Sequence, residues 1–191
     1  MRFLIDIALA IFVATAIGIP TAWFAVEHGR LFSAVTIGAW TAWPDAGGAN
    51  ADPYSLALLA RSGEVPLGAS EGLAFTAVAD DKGDALSGDC VYVINGQTPQ
   101  ARLWTLAAYD KEGQLIANAA RRPGFHSGEL LRGNSGNLEI LVSPDVEPGN
   151  WLPTSRSEGF ELVLRLYDTP LTSLTEFVNI DMPHIDKVRC E

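Results

Sequence analysis

The chain is poor in cysteine, histidine and basic residues, and each shortage argues against a class of protein. It has two cysteines, too few for a zinc ribbon or a disulfide-rich miniprotein. Its three histidines lack the HExxH spacing of a metalloprotease. Thirteen lysines and arginines face 23 aspartates and glutamates, a net charge of −10. Because phosphate backbones repel such a chain, the composition argues against a nucleic-acid partner.

Motifs that indicate a reaction are also missing from the sequence. It has no Walker A or GxGxxG motif, and GNSG at 133–136 is not the GxSxG turn of a hydrolase. The acidic cluster at 80–84 lacks the ligand order of an EF-hand, so a solvated turn is favoured over a calcium site. Glu71 and Asp110 are available for a glycosidase-type carboxylate pair, but the sequence does not determine their separation. We therefore predict no metal and no cofactor, and nothing argues for an enzyme.

One long apolar run occupies the amino terminus. Residues 3–26 contain a single ionisable side chain, Asp6. As a helix this run is about 36 Å long, enough to cross a hydrocarbon core of about 30 Å. Arg2 and the α-amino group precede the run, while Glu27 and Arg30 after it nearly cancel. This weak bias favours a single membrane span with its amino terminus inside and the rest of the chain outside.

A cleaved signal peptide is the alternative interpretation of this run. Cleavage requires small residues at −3 and −1, whereas cuts after Ala22 or Ala25 place Pro20 or Trp23 at −3. The run is also longer than the usual apolar core of about 7–15 residues. We therefore favour an uncleaved anchor over residues 1–28, followed by an exported domain over 29–191. This organisation predicts a membrane-anchored protein whose carboxyl-terminal domain lies outside the cytoplasm.

If the domain is exported, its two cysteines are expected to form a disulfide. Cys90 lies in a strand-like run and Cys190 is the penultimate residue. In an oxidising compartment two lone cysteines of one domain usually pair, so we predict a Cys90–Cys190 disulfide, with two buried free thiols as the alternative. The closed loop of about 100 residues is worth roughly 4–5 kcal/mol on the chain-entropy account. The bridge is also expected to hold a carboxyl-terminal tail that otherwise frays.

A short helix is predicted after a glycine-rich loop. Asp52, followed by proline, has the properties of an N-cap, since its carboxylate can accept bonds from the first N–H groups. Leu56, Leu59 and Ala60 then recur at helical spacing and mark the apolar face.

The rest of the chain is predicted to be mainly β. From about residue 67 the hydrophobic period changes to two, and turns rich in glycine and aspartate separate short apolar runs. Asn95-Gly96 predicts a hairpin turn. The predicted strands are 73–79, 90–94, 103–109, 114–117, 138–142 and 160–167. This pattern favours one antiparallel β-sandwich or jelly-roll-like domain, with the amino-terminal transmembrane helix and one or two short helices.

Short phrases along the chain form a recognisable set. The most specific are Asn-Trp-Leu-Pro at 150–153 and Leu-Arg-Leu-Tyr at 164–167, with weaker ones at 38–40, 52–54, 71–75, 101–106, 109–110, 116–118 and 170. In these phrases the sequence resembles DUF1214, a bacterial family of domains of unknown function. The resemblance spans residues 38–170 and implies a jelly-roll-like β-sandwich. In longer relatives this domain follows a second domain of unknown function, which this chain is expected to lack. Together with the apolar run, the resemblance therefore suggests a single-domain, membrane-anchored form. Because the family is bacterial, the expected location is the inner membrane, with the carboxyl-terminal domain in the periplasm.

Two predicted strands carry the candidate ligand-binding residues. Arg102 and Trp104 are two positions apart on one predicted strand, and Arg165 and Tyr167 are two positions apart on another. Residues at this spacing share one face of a strand. If the strands are neighbours, two guanidinium groups and two aromatic rings line one cleft suited to an anionic or sugar ligand. In the favoured alternative, the arginines stack on aromatic rings or pair with Glu71 or Asp110 to secure the sandwich.

Three tryptophans complete the candidates. Trp151 is counted among the ligand-binding residues, although we favour a role in plugging the end of the core, with Asn150 satisfying backbone groups of its loop. Trp40 and Trp43 are expected to pack near the membrane, with a sugar platform as the alternative.

The sequence supports two candidate functions. The first is a non-enzymatic, anchored envelope protein with a binding or structural role. The second is an envelope enzyme, or a carbohydrate or sugar-phosphate binder, that uses the arginine–aromatic face.

Overall fold

The structure, a computed structural model, describes residues 2–27, 34–48, 51–62, 66–68, 70–131, 137–156, 159–173 and 180–190. The chain divides into two compact units. One comprises Met1–Ser33 and Asp45–Pro66, and the other comprises Ala34–Pro44 and Leu67–Glu191. The predicted domain boundary between residues 28 and 29, and the GNSG stretch at 133–136, lie outside the described residues.

The first unit contains two helices. Helix α1, Arg2–Glu27, is by length and composition apolar enough to cross a membrane. Its described side chains are exposed, apart from that of Ala25, which is partly covered. An almost wholly apolar surface of this length is unfavourable in water, which agrees with the predicted span.

The second helix, α2, comprises Pro53–Ser62 and begins where its cap was predicted. The Asp52 carboxylate accepts hydrogen bonds from the backbone N–H groups of Tyr54 and Ser55 at 2.9 and 3.1 Å, and it also bonds the Ser55 hydroxyl. The hydroxyl bond first, and then the N–H bonds, hold the pKa of Asp52 below its usual value. The N-cap prediction is therefore confirmed.

The second unit is a sandwich of two sheets. Its ten strands, in chain order, are β1 Val35–Ile37, β2 Trp40–Ala42, β3 Gly72–Ala77, β4 Cys90–Gly96, β5 Leu103–Tyr109, β6 Gly124–His126, β7 Leu138–Ser143, β8 Trp151–Pro153, β9 Glu161–Tyr167 and β10 His184–Cys190. The first sheet has the order β1-β2-β3-β9-β5-β6 with antiparallel pairs throughout. The second has the order β10-β4-β7-β8, in which β7 and β8 are parallel. A short 3-10 helix covers Pro170–Ser173.

The inward faces of the two sheets share one core. Its largest fully buried side chains include Trp40 and Phe75 from the first sheet and Tyr92 and Ile140 from the second. Each such side chain contributes about 1.5–3 kcal/mol through the apolar surface it removes from water. The mainly β, sandwich-like fold predicted from the sequence is confirmed, and the outer faces of the sheets remain available for a site.

The prediction of a hairpin at Asn95-Gly96 is wrong. Both residues continue β4, where Asn95 pairs with Glu139 of β7 and with His184 of β10. The chain then crosses to β5 in the other sheet instead of turning back. The predicted strand at 114–117 is also wrong, since Leu115 forms only an isolated bridge. Pairing partners that come from far along the chain overrode these local signals.

Trp40 does not pack at a membrane surface. It is fully buried in the sandwich core, and its indole Nε1 donates a hydrogen bond to the carbonyl oxygen of Pro183 at 2.7 Å. Trp151 is half-buried and donates from Nε1 to the carbonyl oxygen of Ser143 at 3.0 Å. The adjacent Leu152 enters the core in its place, because β8 directs alternate side chains to opposite faces.

Asn150 has the structural role predicted for it. Its Oδ1 accepts from the backbone N–H of Leu131 at 2.8 Å, and its Nδ2 donates to the carbonyl oxygens of Leu131 and Glu139 at 2.8 and 2.9 Å. One buried amide therefore fastens a loop to β7.

The predicted disulfide is confirmed. Cys90 and Cys190 are bonded to one another and lie opposite each other in the β4–β10 pair. The bridge closes a sequence separation of 100 residues and ties the last strand of the chain to the middle of the domain.

Candidate functional site

The two strands that carry the candidate residues are neighbours. In the β5–β9 pair, Thr105 lies opposite Arg165 and Trp104 lies opposite Leu166. Side chains alternate between faces, so Arg165 lies on the outer face whereas Trp104 faces the core and is 3% exposed. The expectation that Trp104 shares a cleft with the arginines is therefore wrong. The large indole gains more from burial in the core than from a place on the outer face.

Arg102 does not share a cleft with Arg165 either. It precedes β5 and its Nε lies 3.1 Å from Oδ2 of Asp168, with both side chains more than two-thirds exposed. An ion pair so exposed contributes little to stability. The partner is not Glu71, whose backbone carbonyl instead accepts a hydrogen bond from the Asp168 N–H.

Arg165 is held in one orientation by Tyr109. Its Nη1 donates to the tyrosine Oη at 2.8 Å, and its guanidinium carbon lies 5.2 Å from the centre of the ring. This is the predicted stacking on an aromatic ring, with Tyr109 as the partner. Within the described ranges, no carboxylate lies at ion-pair distance from Arg165. Arg165 is therefore a half-buried, oriented cation that has no counter-ion in the part of the chain that the structure describes.

Arg165 and Tyr167 line a shallow groove of about 450 Å³ on the outer face of the first sheet. The floor of the groove is made of small residues, Thr105 and Ala107 of β5 and Gly124 of β6. A Cβ added to Gly124 would lie 2.5 Å from the carbonyl oxygen of Leu106. Only glycine permits this close approach of β6 to β5, and its missing side chain leaves the floor open.

The opposite wall of the groove carries His126 and Glu129. Glu129 accepts from the backbone N–H of His126 at 3.1 Å, and its other oxygen lies 3.5 Å from His126 Nε2. Nδ1 of His126 accepts from the N–H of Gly128 at 3.2 Å, so the ring proton resides on Nε2 and faces the carboxylate. The groove therefore presents a cation on one wall and a carboxylate with an imidazole on the other.

Among the functional side chains of this groove, sequence reasoning missed Tyr109, His126 and Glu129. Tyr109 lies an even number of positions after Thr105 on β5, so alternation alone places it on the outer face. His126 and Glu129 had no such signal, because β6 has three residues and too little pattern to be recognised.

The acidic turn at 80–84 is a separate feature with its own cation. Asp80 is buried and its Oδ1 accepts from the backbone N–H groups of Lys82 and Asp84 at 3.0 and 2.9 Å. Lys187 of β10 places Nζ 2.5 Å from Asp84 Oδ2 and 3.7 Å from Asp80 Oδ2. Hydrogen bonding to Lys187 lowers the pKa of Asp84, and the same bond raises the pKa of Lys187. In the part of the chain that the structure describes, no group of three or more His, Cys, Asp or Glu side chains is arranged for a metal ion.

Comparisons with known proteins place the chain in a family. Residues 71–171 match the model of DUF1214, a protein family of unknown function. Among solved structures, the chain is similar to the VPA0106 protein from Vibrio parahaemolyticus, with a TM-score of 0.59, 20% identity and coverage of 73% of this chain and 36% of that one. It is also similar to a putative uncharacterized protein from Burkholderia cenocepacia, with a TM-score of 0.44, 16% identity and coverage of 66% and 32%.

The first of these likenesses shows a shared fold, and the chain spans about a third of the length of either structure. No curated protein matches the chain. The family model nevertheless covers more than half of the 191 residues and includes every strand from β3 to β9. The resemblance that the sequence phrases indicated is thereby confirmed, and the chain belongs to the DUF1214 family.

Proposed function

We propose that this protein is anchored in the bacterial inner membrane by α1 and presents its sandwich to the periplasm, where the groove at Arg165 binds a small anionic sugar. The disulfide supports this location, because such bonds persist in oxidising compartments and are rare in the cytosol. The exposed apolar surface of α1 supports the anchor. Arg2 and Asp6 cancel, so the net charge of −10 belongs to the part outside the apolar run and keeps it soluble.

The single observation that carries the binding role is the Arg165 guanidinium, which has no counter-ion among the residues that the structure describes. Tyr109 orients it at the edge of the groove, and no described carboxylate neutralises it. A carboxylate or phosphate of a ligand can accept two parallel N–H bonds from such a group. Charge-assisted bonds of this kind are about twice as strong as neutral ones.

The remaining groups of the groove suit the uncharged part of a sugar. The Glu129 carboxylate accepts hydrogen bonds from hydroxyl groups, and Tyr167 offers an aromatic wall. The small floor residues leave room for a pyranose ring above the sheet. We propose binding without turnover, since the imidazole of His126 is already engaged by Gly128 and Glu129.

Calorimetric titration of the full chain in detergent with glucuronate, glucose 6-phosphate and glucose tests the binding role. We expect binding of the two anionic sugars and a much weaker signal with glucose. Arg165→Gln should weaken binding about tenfold or more, since a charged hydrogen bond contributes about 1.5–3 kcal/mol. Arg102→Gln is the matched control, because it removes an arginine near the same strands but outside the groove. Equal losses in the two variants, or no binding of any sugar, would leave the sandwich with a structural role alone.

The location is tested separately with a reporter that is active only in the periplasm. Fusion after Glu191 should give activity, and fusion ahead of Met1 should give none. The reverse pattern contradicts the proposed orientation.

A further inference from the structure

Much of the apolar face of α2 is exposed. Leu56, Leu59 and Ala60 define this face in the sequence, and a helix of a water-soluble protein normally packs such a stripe against a core. In the structure Leu56 is 54% exposed, Ala60 is exposed and Leu59 is half-buried. Leu56 and Ala60 are therefore available for contact with a medium other than protein.

The neighbourhood of α2 indicates which medium that is. α2 belongs to the same compact unit as α1, the helix that is apolar enough to cross a membrane. Among the described side chains of α1, only that of Ala25, near the carboxyl end, is partly covered. The two helices contact each other, and the carboxyl end of α1 is where the proposed span leaves the bilayer, at the level of the lipid headgroups.

We infer that α2 lies flat in the outer headgroup region of the membrane, with Leu56 and Ala60 directed toward the acyl chains. This inference rests on the proposed anchoring of α1. Leu56 and Ala60 are four residues apart and so form one stripe, whereas the charged Arg61 lies on another side of the helix. Interfacial helices of this kind insert their apolar face about 5–10 Å below the headgroup boundary.

The covalent link to α1 explains why so short a helix can serve as a lipid contact. An isolated helix of ten residues is marginal in water and binds a bilayer weakly. Tethering to a spanning helix makes insertion an intramolecular event, for which a modest apolar stripe suffices. α2 is then a second attachment of the chain to the bilayer.

The test uses the full chain in phosphatidylcholine vesicles, with the environment-sensitive probe NBD on single introduced cysteines. The native disulfide is kept oxidised, so only the introduced thiol reacts. Probes on Leu56→Cys and Ala60→Cys should show blue-shifted emission, with stronger quenching by lipids brominated near the headgroup than by lipids brominated near the chain end. The matched control in solvent is Glu112→Cys, on an exposed turn of the sandwich, which should be neither shifted nor quenched.

A probe on Phe12→Cys, in the middle of α1, separates this inference from the proposal on which it rests. If that probe is quenched by deep bromolipids while those at positions 56 and 60 report water, the anchor stands and the interfacial helix is refuted. Blue-shifted probes on α2 that no bromolipid quenches would show that protein, or a second copy, covers the face, and would also refute it. A probe at position 12 in water would overturn the anchor itself.

Discussion

The indole of Trp40 and the carbonyl oxygen of Pro183 are joined by a buried hydrogen bond of 2.7 Å across 143 residues of sequence. Trp40 lies in β2, and Pro183 directly precedes β10, the last strand of the other sheet. The bond therefore couples the first and last parts of the sandwich. Both residues are buried, so neither polar group has water as a substitute.

Trp40→Phe is expected to lower the free energy of unfolding by about 2–4 kcal/mol, because it leaves the Pro183 carbonyl unsatisfied and creates a small cavity. Urea denaturation of the full chain in detergent measures the loss. Trp23→Phe, at an exposed position of α1, is the control and should change stability little. Equal stability of the two variants would show that the buried bond contributes nothing.

Replacing both disulfide cysteines should also destabilise the domain strongly. The double variant Cys90→Ser/Cys190→Ser frees a loop of 100 residues in the unfolded state, which on the chain-entropy account costs about 4–5 kcal/mol. We expect a lower unfolding midpoint and earlier proteolysis at the carboxyl terminus, since β10 loses its covalent tie. A midpoint that matches the wild type under both oxidising and reducing conditions would contradict a structural role for the bridge.

Gly72 is expected to tolerate no side chain. It lies in β3 opposite Tyr167 of β9, and an added Cβ would lie 2.0 Å from the backbone carbonyl oxygen of Leu166. Gly72→Ala should therefore force the two strands apart and cost about 3 kcal/mol or more. Gly68→Ala is the control four residues earlier, where the new methyl group meets the Glu71 side chain at an ordinary 3.8 Å. Thermal unfolding of the two variants should differ widely, and similar melting temperatures would contradict this account.

The ion pair between Asp84 and Lys187 predicts a dependence of stability on pH. The pKa of Asp84 is lowered by its hydrogen bond and charge interaction with Lys187, so this carboxylate stabilises the fold above its ordinary value of 3.8. That contribution is lost as pH falls through the lowered pKa. The raised pKa of Lys187 works in the opposite direction, since its contribution is present below 10.5 and is lost as pH rises through the raised value.

Asp84→Asn should therefore lower the melting temperature near neutral pH and make the fall toward acid shallower than in the wild type. Asp89→Asn, which removes an exposed carboxylate elsewhere, is the control for charge alone. Melting curves recorded from neutral to acidic pH check both variants. Parallel curves for Asp84→Asn and the wild type would show that the pair does not contribute.

Several features of this protein follow from neighbouring residues alone. The cap at Asp52 depends on groups within three positions of it, and its prediction is confirmed for that reason. The run that forms α1 is almost continuously apolar, so the sequence directly indicates both that it is helical and how long the helix is. The Cys90–Cys190 bond, by contrast, joins residues 100 positions apart, and it was predicted because the chain has two cysteines and the domain that holds them was expected to be exported.

The candidate site shows where such reasoning stops. In the sequence, Arg102 is two positions from Trp104, and Arg165 is two positions from Tyr167. The strands that carry Trp104 and Arg165, β5 and β9, are neighbours, as the predicted cleft required. The sequence did not determine which face of each strand turns inward, since a shift of one residue exchanges the two faces of a strand. Packing against the other sheet decided that, and it buried Trp104 and left Arg165 outside.

By itself the sequence determined the long apolar helix, the capped helix and the longer strands, because each depends on local periodicity or capping. It also indicated the disulfide, because the chain has two cysteines. The tertiary structure alone decided which strands share a sheet, that Asn95 continues a strand instead of turning, and that His126 and Glu129 lie opposite Arg165. These arrangements depend on contacts between residues far apart in the chain. Their energies arise from burial and pairing in the assembled sandwich, which no local pattern encodes.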